Sequence, residues 1–364
     1  MKWNGGVSFM KFAEIAKHFN PAWFAAVMGT AVIPLVLSFL DFPLKEFLGM
    51  FFFLAALVMF LLALAPWSVK FFFYRENIAK DLNHPVAAHF FPTMPISMVI
   101  LAMDFLKYPD LLLPPEGSRA LAFWLWLLGS LGIFLFGYVI MIRVFRHREI
   151  TPAHANFGWF IPPVSKMIIP VAGLELAELF PASLELTFGL SMVSFGIGLF
   201  LFFFVGAAVY HRYIYHELPM SRLAPTFFIG MVPTAIIAVI LFKMMHLFGS
   251  RDVLGIVPHI FSPLAKIAIL LCWGFSAWWF VMAVIMILHY FRNIELPFAM
   301  SWWAFTFPSA ALCIASAVAW KVSGFMSIYY FLILATLFLL GVWLAVFLRT
   351  AKGIASGKIF LPAH

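Results

Sequence analysis

Residues 159 to 170 read WFIPPVSKMIIP, a run of branched and aromatic residues suited to a lipid bilayer that nonetheless holds three prolines and Lys166. A charged side chain at mid-bilayer is disfavoured by roughly 2.5 to 3.5 kcal/mol on insertion scales, and such residues ordinarily face a bundle interior or a water-filled cavity. Lys166 lies one turn after Pro162 and one turn before Pro170, so the three share a helix face. On the first reading that face looks into a pore, where water and carbonyls freed by proline solvate the ammonium and the ammonium attracts an anion. On the second, Lys166 snorkels or pairs with Glu175 or Glu178 at the far end of its own helix. No acidic residue lies at its depth in any comparable span, which favours an anionic ligand.

The remaining candidates are weaker. Thr30, Thr93, Ser165, Thr234, Thr306 and Ser309 supply hydroxyls that as a set suit carboxylate oxygens, although each alone readily bonds a carbonyl of its own helix. His84, His147, His289 and most other histidines fall at helix ends, at headgroup level. His89 sits about one and a half turns inside its span and is the one histidine placed to couple protons to transport. Asp104 is either a mouth acid or a solvated helix end. Cys272 and Cys313 both fall in apolar spans, with no CxxC spacing, so neither a disulfide framework nor a metal site is expected.

The elements that must position these groups are membrane helices. The chain of 364 residues is 65% hydrophobic and 10% charged, with mean hydropathy +1.03, which excludes an ordinary soluble domain. At roughly 20 apolar residues per crossing, ten spans are expected near 21–40, 47–70, 86–106, 120–142, 157–175, 186–210, 224–245, 264–289, 298–320 and 325–348. Residues 1–20 then form a cytoplasmic amphipathic segment, 21–349 the transmembrane domain and 350–364 a cytoplasmic tail. No cleavable leader precedes the first span, which is expected to be retained. The net charge of +8 is not read as a nucleic-acid signal, because the charges sort by loop. About 15 Lys and Arg residues, Arg143, Arg146 and Arg148 among them, share one side with the termini against about 7 on the other, which predicts both termini in the cytoplasm.

The odd spans differ from the even ones. Read from the basic side they give PAWFAAVMGTAVIP, HPVAAHFFPTMP, WFIPPVSKMIIP, LAPTFFIGMVP and FAMSWWAFTFP. Pro34, Pro95, Pro170, Pro233 and Pro308 recur at about one depth, with Pro162 beside them. Proline frees a carbonyl and bends a helix, and such backbone is tolerated in a membrane only where protein or a water-filled cavity surrounds it. The pattern predicts five helical hairpins in a quasi-fivefold ring, kinked odd helices lining a central pore and straight even helices facing lipid.

The motifs FNPAWFAAVMGT at 19–30, the third span opening on His84–Pro85, WFIPPVS at 159–165 and WWAFTFP at 302–308 resemble the tellurite-resistance/dicarboxylate transporter family. That family includes malate permeases, sulfite exporters and plant slow anion channels. The resemblance covers nearly the whole chain and implies a homotrimer in the plasma membrane with one pore per subunit, anion transport without a cofactor, and a pore plug at Phe307. The family's opening motif commonly continues MGTG, where this chain has Ala31, so dimensions near Thr30 are expected to differ. C4-dicarboxylates such as malate are the expected substrates, with a passive small-anion channel or a sulfite or tellurite-related exporter as alternatives. A haem-bearing redox enzyme would need paired histidines buried at one depth, and the histidines lie at helix ends.

Overall fold

A computed structural model describes residues 12–84, 87–146, 150–357 and 359. Of the sequence expectations, residues 1–11 of the amphipathic segment, Pro85, His147, Arg148 and residues 360–364 of the tail lie outside the described residues. Among the described residues all regular structure is helical. The first six α-helices are α1 (Phe12–His18), α2 (Phe24–Leu37), α3 (Lys45–Phe73), α4 (Arg75–Asn83), α5 (Thr93–Lys107) and α6 (Pro115–Arg146). They are followed by α7 (Ile161–Leu179), α8 (Leu184–Tyr215), α9 (Val232–Ser250), α10 (Pro258–Asn293), α11 (Thr306–Ser323) and α12 (Met326–Ala355). The last helix thus runs past residue 349, where the expected tail began.

Nine described helices are long and apolar enough to cross a membrane, and ten crossings result when the bent pair Phe12–His18 and Pro21–Leu37 counts as one. The two members of that pair meet at 94°, so α1 leaves the axis of the first span, and it packs against α3. Burial separates two classes. In the apolar windows of α3, α6, α8, α10 and α12 only 17 to 33% of residues are buried, whereas the windows containing α5, α7, α9 and α11 are 67 to 94% buried. Nearly all of α2 is buried as well. Each buried helix packs most heavily on the exposed helix that follows it: α2 on α3, α5 on α6, α7 on α8, α9 on α10 and α11 on α12.

The inner spans begin as 3-10 helix and become α-helix only part-way across. The tight segments are Pro21–Trp23, Ala87–Phe90, Phe157–Phe160, Ser221–Met231 and Met300–Phe305. Asn20 and Asn156 start two of them by accepting hydrogen bonds at 2.8 Å from the amides of Ala22 and Gly158. The prolines Pro95, Pro162, Pro233 and Pro308 then fall in the first turn of the following α-helix. Their missing N–H has no intrahelical partner at that position in any case, so proline specifies a helix start. This corrects the expectation of a common mid-helix kink. Of the six prolines singled out, only Pro34 and Pro170 lie in the body of an α-helix.

Glycine on the outer helices lets them approach this irregular backbone. A Cβ on Gly129 of α6 would stand 2.8 Å from the Pro95 carbonyl oxygen, a contact only backbone movement relieves. At the basic end, Lys70 closes α3 against the start of the first span. Its buried ammonium donates to the Phe19 carbonyl at 2.7 Å and pairs with Asp81 of α4 at 2.5 Å. Gly129→Ala is expected to cost about 1 to 3 kcal/mol of stability, read as a lowered thermal midpoint in detergent. Gly274→Ala on α10, where nothing lies within 4 Å, serves as the unaffected control.

Candidate functional site

Side chains of all five inner helices meet around two cavities. The larger, about 440 Å³, opens toward the end where the inner helices finish, called here the far end. The smaller, about 50 Å³, lies among the 3-10 segments toward the basic end. Each inner helix contributes one stripe at three- and four-residue spacing. On α7 it is Ile161, Val164, Ile168 and Val171, and on α11 it is Phe307, Ala311, Ile314 and Val318. Phe307 is common to the linings of both cavities, and its ring is buried at 7% exposure. One aromatic side chain thus stands where the two spaces approach each other, in walls made of valine, isoleucine and methionine.

Lys166 lies elsewhere. It is two residues, about 200° of helix rotation, from both Val164 and Ile168, which line the path. Its Nζ donates to the Pro162 carbonyl at 3.1 Å and stands against Gly137 of α6, where a Cβ would collide with it. The face shared by Pro162 and Lys166 was correctly grouped, but it looks at the outer helix, so the expectation of a pore-facing lysine is corrected. A lysine is accommodated there because Gly137 leaves a notch and the Pro162 carbonyl accepts from the ammonium. Of the six named prolines, Pro308 alone is among the lining residues.

The hydroxyls follow their local reading. Ser165, Thr306 and Ser309 donate to the carbonyls of Pro162, Trp303 and Phe305 at 2.7 to 2.8 Å. Thr30 donates to Ala26 O and accepts from Trp343 Nε1 of α12 at 3.0 Å, while Thr234 meets Ser276 of α10 at 2.7 Å. These side chains lock inner helices to themselves or to outer ones. Thr93 does line the smaller cavity, with its hydroxyl bonded to the Pro21 and Phe90 carbonyls. Gly29, in the MGT motif, lies where any Cβ would strike the Thr306 side chain, so α2 and α11 touch at that level.

His89 is buried and stacks on Trp159, with ring centres 5.3 Å apart and planes within 10°. It is outside both linings, next to Phe90, which belongs to the smaller one. Asp104 is fully buried and neither carboxylate oxygen has a hydrogen-bond partner in the structure. It too lies off the path, beside Met103 and one turn short of Lys107, which do line it.

The far mouth holds charged groups that were not expected to line the path. Lys107, Glu175, Glu178, Lys243 and His246 all line the larger cavity, and Lys243 pairs with Glu175 at 2.5 Å. The available signal was spacing: Lys243 and His246 continue the stripe through Ile236 and Val239 at intervals of three and four.

A family model described as a voltage-dependent anion channel, SLAC1, matches residues 18–351. The chain belongs to the SLAC1 family. It is 34% identical over 356 residues to an uncharacterized transporter of Methanocaldococcus jannaschii, covering 95% of this chain and 96% of that protein. It is also 23% identical to the malic acid transport protein of Schizosaccharomyces pombe, over 85% of this chain and 72% of that one. A sulfite efflux pump of Arthroderma benhamiae is 22% identical, over 94% and 92%. Anion transport across a membrane is therefore this SLAC1-family protein's class of activity. Since Lys166 faces α6, Lys166→Met is expected to leave the nitrate-to-chloride permeability ratio unchanged in reconstituted bilayers. A shifted ratio in folded protein would return this lysine to the path.

Proposed function

We propose that the chain carries anions, C4-dicarboxylates such as malate first among them, between its five inner helices, with the Phe307 ring as the gate. The observation that carries this reading is that Phe307 lines both cavities, so its rotation joins them. The walls beside it are apolar and hold no charged side chain among the described residues. A narrow apolar passage of this kind excludes ions by dewetting, and widening it by one ring restores a water column. Malate is put first because a relative is a malic acid transport protein. A sulfite-type substrate is the second reading, favoured by the likeness to a sulfite efflux pump.

The bias of Lys and Arg toward the end that carries both termini puts that end in the cytoplasm and the far mouth outside. The apolar outer faces of α3, α6, α8, α10 and α12 meet lipid and, in a homotrimer, neighbouring subunits. Proteoliposome flux of labelled malate, alongside chloride and nitrate current, tests the reading. Phe307→Ala is expected to raise flux roughly tenfold, equivalent to about 1.4 kcal/mol off the barrier. Unchanged flux in well-folded protein contradicts the gate, and chloride current without malate uptake contradicts the substrate.

A further inference from the structure

Among the described residues the charged groups of the path are confined to its far mouth, and they are internally compensated. Lys107 and Lys243 are set against Glu175 and Glu178, with His246 among them. Lys321 adds a cation behind the wall, 4.7 Å from the centre of the Phe39 ring and 6.0 Å from that of Phe242, both of which line the cavity. The Lys243–Glu175 pair bridges two neighbouring inner helices, α9 and α7, with side-chain exposures of 24% and 37%. It is therefore wet enough to be broken easily, since exposed ion pairs are screened and contribute little.

Resting on the transport reading, we propose that Lys243 is the docking residue for an anion arriving at the far mouth, and that Glu175 is a built-in competitor which the anion displaces when a proton neutralises it. The charge balance is simple. Before loading, the station holds one ammonium and one carboxylate. After loading a monovalent anion, it holds the ammonium, the anion and a neutral carboxylic acid, so one proton and one negative charge have entered together and the net charge is unchanged; a dianion brings one further negative charge, set against Lys107. Loading without a change of net charge suits a site that opens onto apolar walls, where an uncompensated ion is costly. Proton and anion then assist each other's binding reciprocally.

Glu175 is the group through which the proton acts. Facing it are Lys243 and His246 from α9 and Lys107 from α5, with Glu178 one turn on along α7. Arg251 holds the Glu178 carbonyl at 2.6 Å. Of the other helices against α7, α8 carries Glu185 at this end and α6 carries Glu116 and Arg119, none of which lines the cavity. Asp104 of α5 is buried off the path.

Nitrate is the suitable probe, because its charge does not change over the working pH range. Its uptake into proteoliposomes is measured against concentration at several external pH values. In the parent protein the KM for nitrate is expected to fall as external pH falls. Glu175→Gln should lower the KM at neutral pH by about fivefold, the low end of ordinary coupling, and flatten its pH dependence. Lys243→Gln should raise the KM by a similar factor with little change in maximal rate, Lys243→Arg should restore it, and the double glutamine variant should match Lys243→Gln. If both single glutamine variants leave the KM unchanged, or both raise it alike, while nitrate is still carried, the docking assignment is overturned and the transport reading stands. If neither nitrate nor labelled malate is carried even by Phe307→Ala protein, the transport reading itself fails and this inference with it; if malate alone is carried, the same KM series is read with malate and the same outcomes decide.

Discussion

Backbone that lacks its own helical hydrogen bonds cannot face hydrocarbon, and that constraint sorts the crossings of this protein into a buried and an exposed class. The spans that open as 3-10 helix and carry proline at the α-helix start are the buried ones. The long regular helices around them expose Phe, Leu and Val to lipid and turn Gly129, Gly137 and Gly198 inward. Because irregular backbone needs protein on every side, the five inner helices must face one another. Their shared interior is a space in which a path can form without exposing carbonyls to lipid.

Electrostatics adds the second condition. An ion in a narrow apolar passage loses its hydration, so the passage is held closed most economically by an apolar side chain and charge is best placed where water remains. In the proposed account Phe307, which lines both cavities, takes the first role and the Lys243–Glu175 pair the second. Lys166 shows that burial of a charge near mid-membrane is not by itself a sign of a pore. Its ammonium is held by the Pro162 carbonyl in a notch opposite Gly137, between an inner and an outer helix.

Much of the fold was legible in the sequence. Ten apolar stretches, the alternation of proline-rich and plain spans and the hairpin pairing all followed from composition and spacing, and the motif around Phe307 pointed to the residue that lies between the cavities. The site was legible less well, for definite reasons. Sequence gives which residues share a helix face, and did so for Pro162 and Lys166, but not which neighbour that face meets. Charge was used to choose, and the stripe of Ile161, Val164 and Ile168 was the better guide. Lys107, Lys243 and His246 were missed because they lie near the ends of apolar runs, where a charge ordinarily belongs to a loop. Continuing the three-and-four spacing from Val239 would have placed two of them on the path.

The central claim is that one ring separates two spaces along a path between the inner helices. It is tested most directly by thiol accessibility in protein with Cys272 and Cys313 replaced. Ile314→Cys places a thiol in the larger cavity, about two turns beyond Phe307 on the same stripe. A charged, membrane-impermeant thiol reagent is expected to label it from the far side only, and from both sides once Phe307→Ala is added. Equal labelling from both sides with Phe307 in place, or none from the basic side after its removal, would contradict the account.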